Sequence, residues 1–503
     1  MTDPTPSGSA HDARLRSHVQ PPDWTNPTPR DRYHLVVIGA GTAGLVAAAG
    51  AAGLGAKVAL VERHRMGGDC LNVGCVPSKG VIAAARGWHD ARQAAARFGG
   101  PVAEGEGDFA AALERMRALR ADLGPIDGAR RFTQLGVDVF LGEGRFTSPG
   151  TVAVGDAVLR FRRAVVATGA RAALPPVPGL AGAGILTNES VFDLTRRPAH
   201  LLVLGAGPIG CELAQAFRRL GSAVTLVDRE ARVLPRDDAD AAAIVQRSLE
   251  RDGVTLQLGV EVRRASREGE ARLLVVARDG AETVLRGDAL LVAAGRAPNV
   301  EGLGLEAAGI ACTPRGVTVD DRLRTSNRRV FAIGDVASRH QFTHAADFQA
   351  RAVLANALFF GRSRASRLVV PWATYTSPEV AHVGRTAADA ARDGVAVDTI
   401  TVPMHDVDRA VLAGETEGFL RIHLRRGSDA IVGVTIVAPH AGDLIGEAAV
   451  AMTNGLGLGA LGRTIHPYPT TAEAYRKAAD AWRRTKLTPA ARRVLGGWFR
   501  LFR

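Results

Sequence analysis

Two doubly wound α/β domains are predicted by three observations in this 503-residue sequence. A strand–glycine turn–helix–strand unit occurs twice, each copy ends on an acidic residue at the same offset, and three further short apolar runs end in glycine. In the first copy, His34–Ile38 (HLVVI) reads as a buried strand. It runs into Gly39-Ala-Gly41-Thr-Ala-Gly44 and an Ala-rich helix to about Gly53; a second strand, Lys57–Val61, then leads to Glu62. The second copy is Leu201–Leu204, Gly205-Ala-Gly207-Pro-Ile-Gly210, a helix to about Leu220, and Ala223–Val227 leading to Asp228.

The spacing has a physical purpose. The first glycine makes a tight turn, the second lets backbone amides approach a pyrophosphate, and the third lets helix and strand pack closely. The helix N-terminus faces the phosphates, and the acid accepts hydrogen bonds from a ribose diol. The acid lies 23 positions after the first glycine in both copies. Two Rossmann-like cradles therefore predict two dinucleotides. The other short strands, Ala164–Gly169 (AVVATG), Leu290–Arg296 (LLVAAGR) and Val330–Asp335 (VFAIGD), end where open α/β sheets bind ligands.

Composition narrows the function. The net charge is +12, but only four of the 63 basic residues are lysines. The arginines are scattered without interleaved aromatics outside the C-terminal tail, so nucleic acid is not expected as a partner. Four cysteines in so long a chain point to a reducing compartment, the cytoplasm. Residues 1–30 are polar, lack the apolar core of a signal peptide and read as a disordered leader. No apolar run is long enough to span a membrane.

Two of the cysteines stand in Gly67-Gly-Asp-Cys70-Leu-Asn-Val-Gly-Cys75-Val-Pro-Ser-Lys79. A loop entering a helix favours thiolate, because the helix N-terminus lowers a thiol pKa. With the two cradles, ATG, AGRAPN and GD in this order, the motif resembles the flavin-dependent pyridine nucleotide–disulfide oxidoreductases over roughly residues 33 to 487.

The resemblance implies a domain plan: an FAD domain over 31–165 and 296–364, a nicotinamide domain over 166–295, a dimerisation domain over 365–487 and a basic aromatic tail over 488–503. It implies that FAD lies against Gly39, Gly41, Gly44, Glu62, Lys79, Gly144, Thr168, Gly169 and Asp335. NADH or NADPH would lie against Gly205, Gly207, Gly210, Glu212, Asp228 and Gly295, with Lys79 pairing with Glu212. Asp228 favours NADH, while Arg229, Arg232 and Arg236 offer charge for a 2′-phosphate. Cys70 would be the outer thiol that meets substrate and Cys75 the inner thiol beside the flavin. A homodimer would share its active sites. Electrons would pass from nicotinamide to FAD, to the Cys70–Cys75 disulfide and on to the acceptor.

The family pattern breaks near the C-terminus, at Ile465-His-Pro-Tyr-Pro-Thr-Thr-Ala-Glu473. Disulfide reductases of this family carry an acid–base His where Tyr468 stands; Glu473 is retained. A His titrates at about 6.5 and moves protons near pH 7, whereas a Tyr at about 10 is a poor base there. Exchange with a disulfide needs that proton transfer. A soft metal ion does not, because it binds thiolates directly and expels their protons. The chain is thus similar to the mercuric reductase branch, and Hg(II) held transiently by Cys70 and Cys75 is the expected substrate. Tyr468 and Glu473, from the partner chain, would shape that pocket.

The sequence lacks the N-terminal CxxC domain and the C-terminal vicinal cysteines of that branch. Cys211 and Cys312 read as small core residues. A membrane-surface quinone reductase, a dihydrolipoamide-type disulfide reductase and a redox-sensing flavoprotein remain as alternatives. The tail Trp482–Arg503 reads as a short helix packed on its own dimer, or else as a peripheral contact with an anionic membrane.

Overall fold

A computed structural model describes residues 8–105 and 107–502. They form two compact units; the first runs to Ala231 and resumes over Gly253–Leu368, and the second comprises Arg232–Asp252 and Val369 onward. Among the described residues no helix is long and apolar enough to cross a membrane.

The first unit opens with a correction. Where a disordered leader is expected, α1 (Ala10–Val19) forms, its first turn capped by Ser9, whose hydroxyl accepts the His11 N–H. Leu15 and Val19 are buried, each burial contributing about 1.5–3 kcal/mol. Asp12 meets the Arg120 guanidinium at 2.6 Å, and the Val19 carbonyl accepts the Met66 N–H at 2.9 Å. Two apolar anchors and one buried ion pair hold a segment whose composition alone looks unfolded. Residues 1–7 of the expected leader lie outside the described residues.

The first sheet begins with β1 (Tyr33–Ile38), crosses through α2 (Thr42–Gly53) and returns as β2 (Val58–Glu62). A helical excursion follows: α3 (Gly68–Asn72), α4 (Cys75–Phe98), α5 (Phe109–Asp127) and α6 (Ala129–Gln134). Then come β3 (Val137–Leu141), the antiparallel β4 (Gly144–Ser148) and β5 (Thr151–Val154), and the long β6 (Ala157–Val166). β1 lies parallel to β2 and to the end of β6, and β2 parallel to β3. Successive β1 side chains enter opposite cores, Leu35 and Val37 on one face and Val36 and Ile38 on the other. A parallel sheet covered on both faces needs such an uninterrupted apolar run.

After β7 (Ala170–Ala172) the second sheet repeats the pattern with β8 (His200–Leu204), α7 (Pro208–Arg219) and β9 (Ala223–Asp228). Its next helix, α8 (Ala239–Arg251), belongs to the second unit rather than to the expected nicotinamide domain. The reason is charge pairing: Arg421 bridges Asp238 at 3.0 Å and Asp240 at 2.8 Å, and the Trp372 indole donates to Asp237. β10 (Thr255–Leu258) and β14 (Ala289–Val292) complete this sheet, and between them β11 (Glu261–Glu268), β12 (Ala271–Arg278) and β13 (Ala281–Gly287) form a separate antiparallel sheet. The parallel sheet has the order β10-β9-β8-β14.

β15 (Arg296–Pro298) pairs antiparallel with β7. β16 (Cys312–Thr313) and β17 (Gly316–Val317) form a small hairpin, β18 (Val330–Ala332) joins the first sheet beside β6, and α9 (Thr343–Leu358) packs on α2.

The second unit is an antiparallel sheet in the order β19-β20-β23-β22-β21. Its elements are β19 (Pro371–Thr374), β20 (Glu379–Gly384), α10 (Ala387–Arg392), β21 (Val397–Pro403), α11 (Asp408–Ala413), β22 (Phe419–Arg425) and β23 (Ile431–Ala438). Four helices follow: α12 (Ala441–Thr453), α13 (Leu458–Leu461), α14 (Glu473–Thr485) and α15 (Pro489–Arg500). Tyr475 on α14 is buried and donates its hydroxyl to the Leu444 carbonyl.

Candidate active site

The two glycine cradles are nearly superimposable in their constraints. Gly39 has φ +101°, and a Cβ there would lie 2.4 Å from the Ala167 carbonyl oxygen; Gly205 has φ +114°, and its Cβ would lie 2.5 Å from that of Ala293. A Cβ on Gly44 or Gly210 would fall 1.8 Å from the carbonyl oxygen of Gly39 or Gly205. The first and third glycines are thus required by the fold itself. The second are not: a Cβ on Gly207 meets nothing within 4 Å, and one on Gly41 reaches only Gly68 Cα at 3.8 Å. Open space at the start of α2 and α7, where amides point outward, is what a pyrophosphate needs.

The acids are equally matched. Glu62 accepts the Ala40 N–H at 2.7 Å and the His64 N–H at 2.8 Å. Asp228 accepts the Ala206 N–H at 2.5 Å and the Glu230 N–H at 2.8 Å. Each carboxylate locks its own glycine turn while keeping lone pairs for a diol. Burial raises the Glu62 pKa above its ordinary value.

Cys75 is the first residue of α4, and Cys70 lies in α3. Both are free thiols; Cys70 is half-buried and Cys75 exposed. The thiols hydrogen-bond to each other, and this bond separates their acidities. Cys75 is pulled down to about 6 by the hydrogen bond from Cys70, helped by Thr343 and by the positive charge of Lys79. Cys70, the proton holder, is pushed up by the same bond and by burial. The Cys75 sulfur lies 3.5 Å from the Thr343 hydroxyl, at the start of α9. Lys79, one turn along α4, meets Glu212 of α7 at 2.8 Å, as expected. Glu212 is 5 % exposed, so the pair is partly desolvated and ties the two nucleotide sheets together.

Further charges surround the pair. Arg296 meets Asp69, the residue before Cys70, at 2.5 Å and Asp335 at 3.2 Å. Asp335 thereby has a partner in the chain, and burial raises its pKa. The Thr168 hydroxyl donates to the Asn299 carbonyl at 2.7 Å, and the Asn299 amide returns a bond to the Thr168 carbonyl at 2.9 Å. Gly169 (φ +68°) and Gly295 (φ +134°) sit at the ends of their strands in conformations that favour glycine. Gly144 has a packing reason of its own, because a Cβ there would press on Val61 at 2.9 Å. Arg296 and Asn299 were legible as parts of AGRAPN; Thr343 left no signal in the sequence.

Arg229 is exposed and pairs with its neighbour Glu230 at 3.3 Å. Arg232 donates to the Pro235 and Asp237 carbonyls, and Arg236 is exposed. Cys211 is buried and donates to the Ala206 carbonyl. Cys312 is exposed on β16, which corrects its reading as a core residue; a two-residue edge strand leaves it uncovered.

Tyr468 and Glu473 lie in the second unit. Tyr468 is 71 % exposed and donates to Asp408 at 3.0 Å; that carboxylate raises the phenol's pKa, making it a still poorer base. Glu473 is buried and pairs with Arg476 through one oxygen, while its other oxygen has no partner. His466 is held by Glu447 at 2.8 Å and is nearly buried.

Comparison with known proteins agrees with this geometry. Residues 33–350 match the pyridine nucleotide-disulphide oxidoreductase family and residues 370–479 its dimerisation domain. The chain is 36 % identical to the mercuric reductase of Streptomyces lividans over 461 residues, 90 % of this chain and 96 % of the relative. It is 35 % identical to the dihydrolipoyl dehydrogenase of Thermus scotoductus over 464 residues, 89 % of this chain and 97 % of the relative. Among solved structures, the Cu(II) complex of the HOCl-induced flavoprotein disulfide reductase RclA from Escherichia coli superposes with a TM-score of 0.78 at 28 % identity, covering 88 % of this chain and 98 % of that one. The chain therefore belongs to the FAD- and NAD(P)H-dependent pyridine nucleotide-disulphide oxidoreductases.

Proposed function

We propose that this oxidoreductase passes two electrons through the Cys70–Cys75 pair to a thiophilic metal ion, best matched by Hg(II). The observation that carries this reading is an acidic Cys75 thiol bonded to a second thiol, combined with a tyrosine in the position of the base. Cys75, at about 6, is ionised at neutral pH without help from a general base. Tyr468, hydrogen-bonded to Asp408, is unsuited to relay protons to a disulfide substrate. His466 is engaged with Glu447 and is not proposed as a substitute.

The residues fit both cofactors. Gly39, Gly41, Gly44, Glu62, Lys79, Gly144, Thr168, Gly169 and Asp335 would hold FAD; Gly205, Gly207, Gly210, Glu212, Asp228 and Gly295 would hold the nicotinamide nucleotide. Bound there, FAD supplies the relay of two electrons from NAD(P)H to sulfur. The chain's own chemistry follows from the acidity order. Opening the disulfide leaves the negative charge on Cys75, beside Lys79, and the proton on Cys70. A soft cation displaces that proton and is held between two sulfurs. Net, NAD(P)H and Hg(II) yield NAD(P)⁺, a proton and Hg(0). Asp228, which repels a 2′-phosphate, favours NADH.

The family's dimerisation domain supports a homodimer. We assign Tyr468 and Glu473 to the partner's pocket, and the chemistry to the cytoplasm. Quinone reduction is the second reading, favoured by the exposed amphipathic α15.

The test is NADH and NADPH oxidation with Hg(II) in excess thiol, comparing wild type with Cys70→Ala. Oxidation that needs Hg(II) and disappears in the variant supports the proposal. Flavin reduction without stimulation by Hg(II) sinks it, and quinone turnover that survives Cys70→Ala supports the second reading.

A further inference from the structure

Among the described residues, helix α15 is exposed along its whole length. None of its residues is buried, although it begins well, with the Thr488 hydroxyl accepting the Ala491 N–H at 3.2 Å and Pro489 in the first turn. At ~100° per residue its two kinds of side chain separate cleanly. Val494, Leu495, Trp498, Phe499, Leu501 and Phe502 share one side, and all are exposed. The Trp498 and Phe502 rings pack at a tilt of 58° with centroids 4.7 Å apart. Arg493 and Arg500 occupy the opposite side, and Arg492 flanks the edge of the apolar arc. From Trp482 to Arg503 there is no aspartate or glutamate, while Arg483, Arg484 and Lys486 add further positive charge.

We infer that α15 is a docking helix for an anionic lipid surface. A contiguous aromatic and aliphatic face with an arginine flank and no acid matches the interface of an anionic bilayer, where the apolar side enters the acyl boundary and the guanidinium groups meet phosphates. A helix of about 12 residues spans ~18 Å, too short to cross the hydrocarbon core, so it lies in the plane of the surface. A second copy of the chain fits less well. The match to the family's dimerisation domain ends at residue 479, before this helix, and a partner's tail brings no carboxylate to meet the arginines. The inference is independent of which acceptor the enzyme reduces.

The experiment uses the full, FAD-loaded chain with vesicles of phosphatidylcholine alone or with roughly 30 % phosphatidylglycerol, which sets up the negative surface potential. Cosedimentation is measured at low and high salt. Light scattering without vesicles reports the oligomeric state. Two variants are compared with wild type: Trp498→Ser/Phe499→Ser, and Arg492→Gln/Arg493→Gln. Binding is expected only with phosphatidylglycerol, weaker at high salt and lost in the apolar variant. The arginine variant should partition roughly thirtyfold less, at about 1 kcal/mol for each of two basic residues. NADH-driven flavin reduction should stay unchanged in both. Equal binding to uncharged vesicles, or no binding to either, overturns the inference. So does an apolar variant that dissociates the dimer while leaving vesicle binding intact, since the face would then be a subunit contact.

Discussion

The Arg120 guanidinium donates to the main-chain carbonyl of Asn72 at 2.7 Å, within the loop that separates Cys70 from Cys75. Its other arm reaches Asp12 on α1 at 2.6 Å, and Arg120 is buried. The N-terminal helix, the α5 helix and the redox loop are thus joined by one side chain. The Asn72 side chain adds a second tie, donating to the Met66 and Gly68 carbonyls at 3.0 and 2.9 Å.

Replacing Arg120 with Met removes the donor to the Asn72 carbonyl and one of the two guanidinium groups that face Asp12, the other being Arg117. We expect a loss of about 2–4 kcal/mol in stability, read by denaturant unfolding. Amide hydrogen exchange should quicken across Asn72–Cys75 in Arg120→Met, and less so in Leu15→Ala, which loosens α1 but keeps the bond. Equal exchange in the two variants would show that α1 packing, not Arg120, holds the loop.

The acidity of the pair predicts a pH profile. The Cys75 thiol lies at about 6 against an unfolded value of about 8.5, so the thiolate form is present above pH 6 and lost as pH falls through it. In the reduced, flavin-free protein, alkylation at Cys75 followed by mass spectrometry should show a midpoint near pH 6. Cys70 should stay unreactive until far more alkaline pH. A common midpoint near 8.5 for both would contradict the assignment.

Lys79 and Glu212 make a partly desolvated ion pair beside this thiolate. Lys79→Met removes the cation that faces the buried Glu212 carboxylate, and we expect about 1–3 kcal/mol of destabilisation together with a rise in the Cys75 alkylation midpoint. Adding Glu212→Gln should recover most of the stability, because the buried negative charge is gone. It should restore the midpoint only in part, since Lys79 lowers and Glu212 raises the Cys75 pKa. A midpoint unmoved by Lys79→Met would show that the helix terminus and Thr343 suffice.

Tyr468→His places an imidazole next to Asp408, which would orient it and favour its protonated form. A general acid–base contributes roughly 10²–10⁴-fold. We expect lipoamide or glutathione-disulfide turnover at neutral pH to rise at least about tenfold, with Hg(II)-dependent oxidation changed little. No gain with any disulfide would mean that more than the missing base bars these substrates.

Much of this molecule was legible before its structure. The two glycine cradles, their matched acids and the CxxxxC pair are local in sequence, and each rests on a short-range rule of turn geometry, helix termini or strand burial. The fold class follows, because an apolar run between glycine turns fits only a sheet covered on both faces. Other features depend on residues far apart in the chain. α1 has an ordinary polar composition, and remote segments make it stable by burying Leu15 and Val19 and by the bonds to Arg120 and Met66. The position of α8 rests on Arg421 and Trp372, well over a hundred residues away. The unequal acidity of Cys70 and Cys75 rests first on the hydrogen bond between them, and Thr343, brought from a remote helix to the Cys75 sulfur, adds to it. Sequence therefore determined which chemical groups are present and their local conformation. The tertiary structure decided which buried charges and thiols face one another, because such energies depend on distances and desolvation that arise only once remote segments have packed.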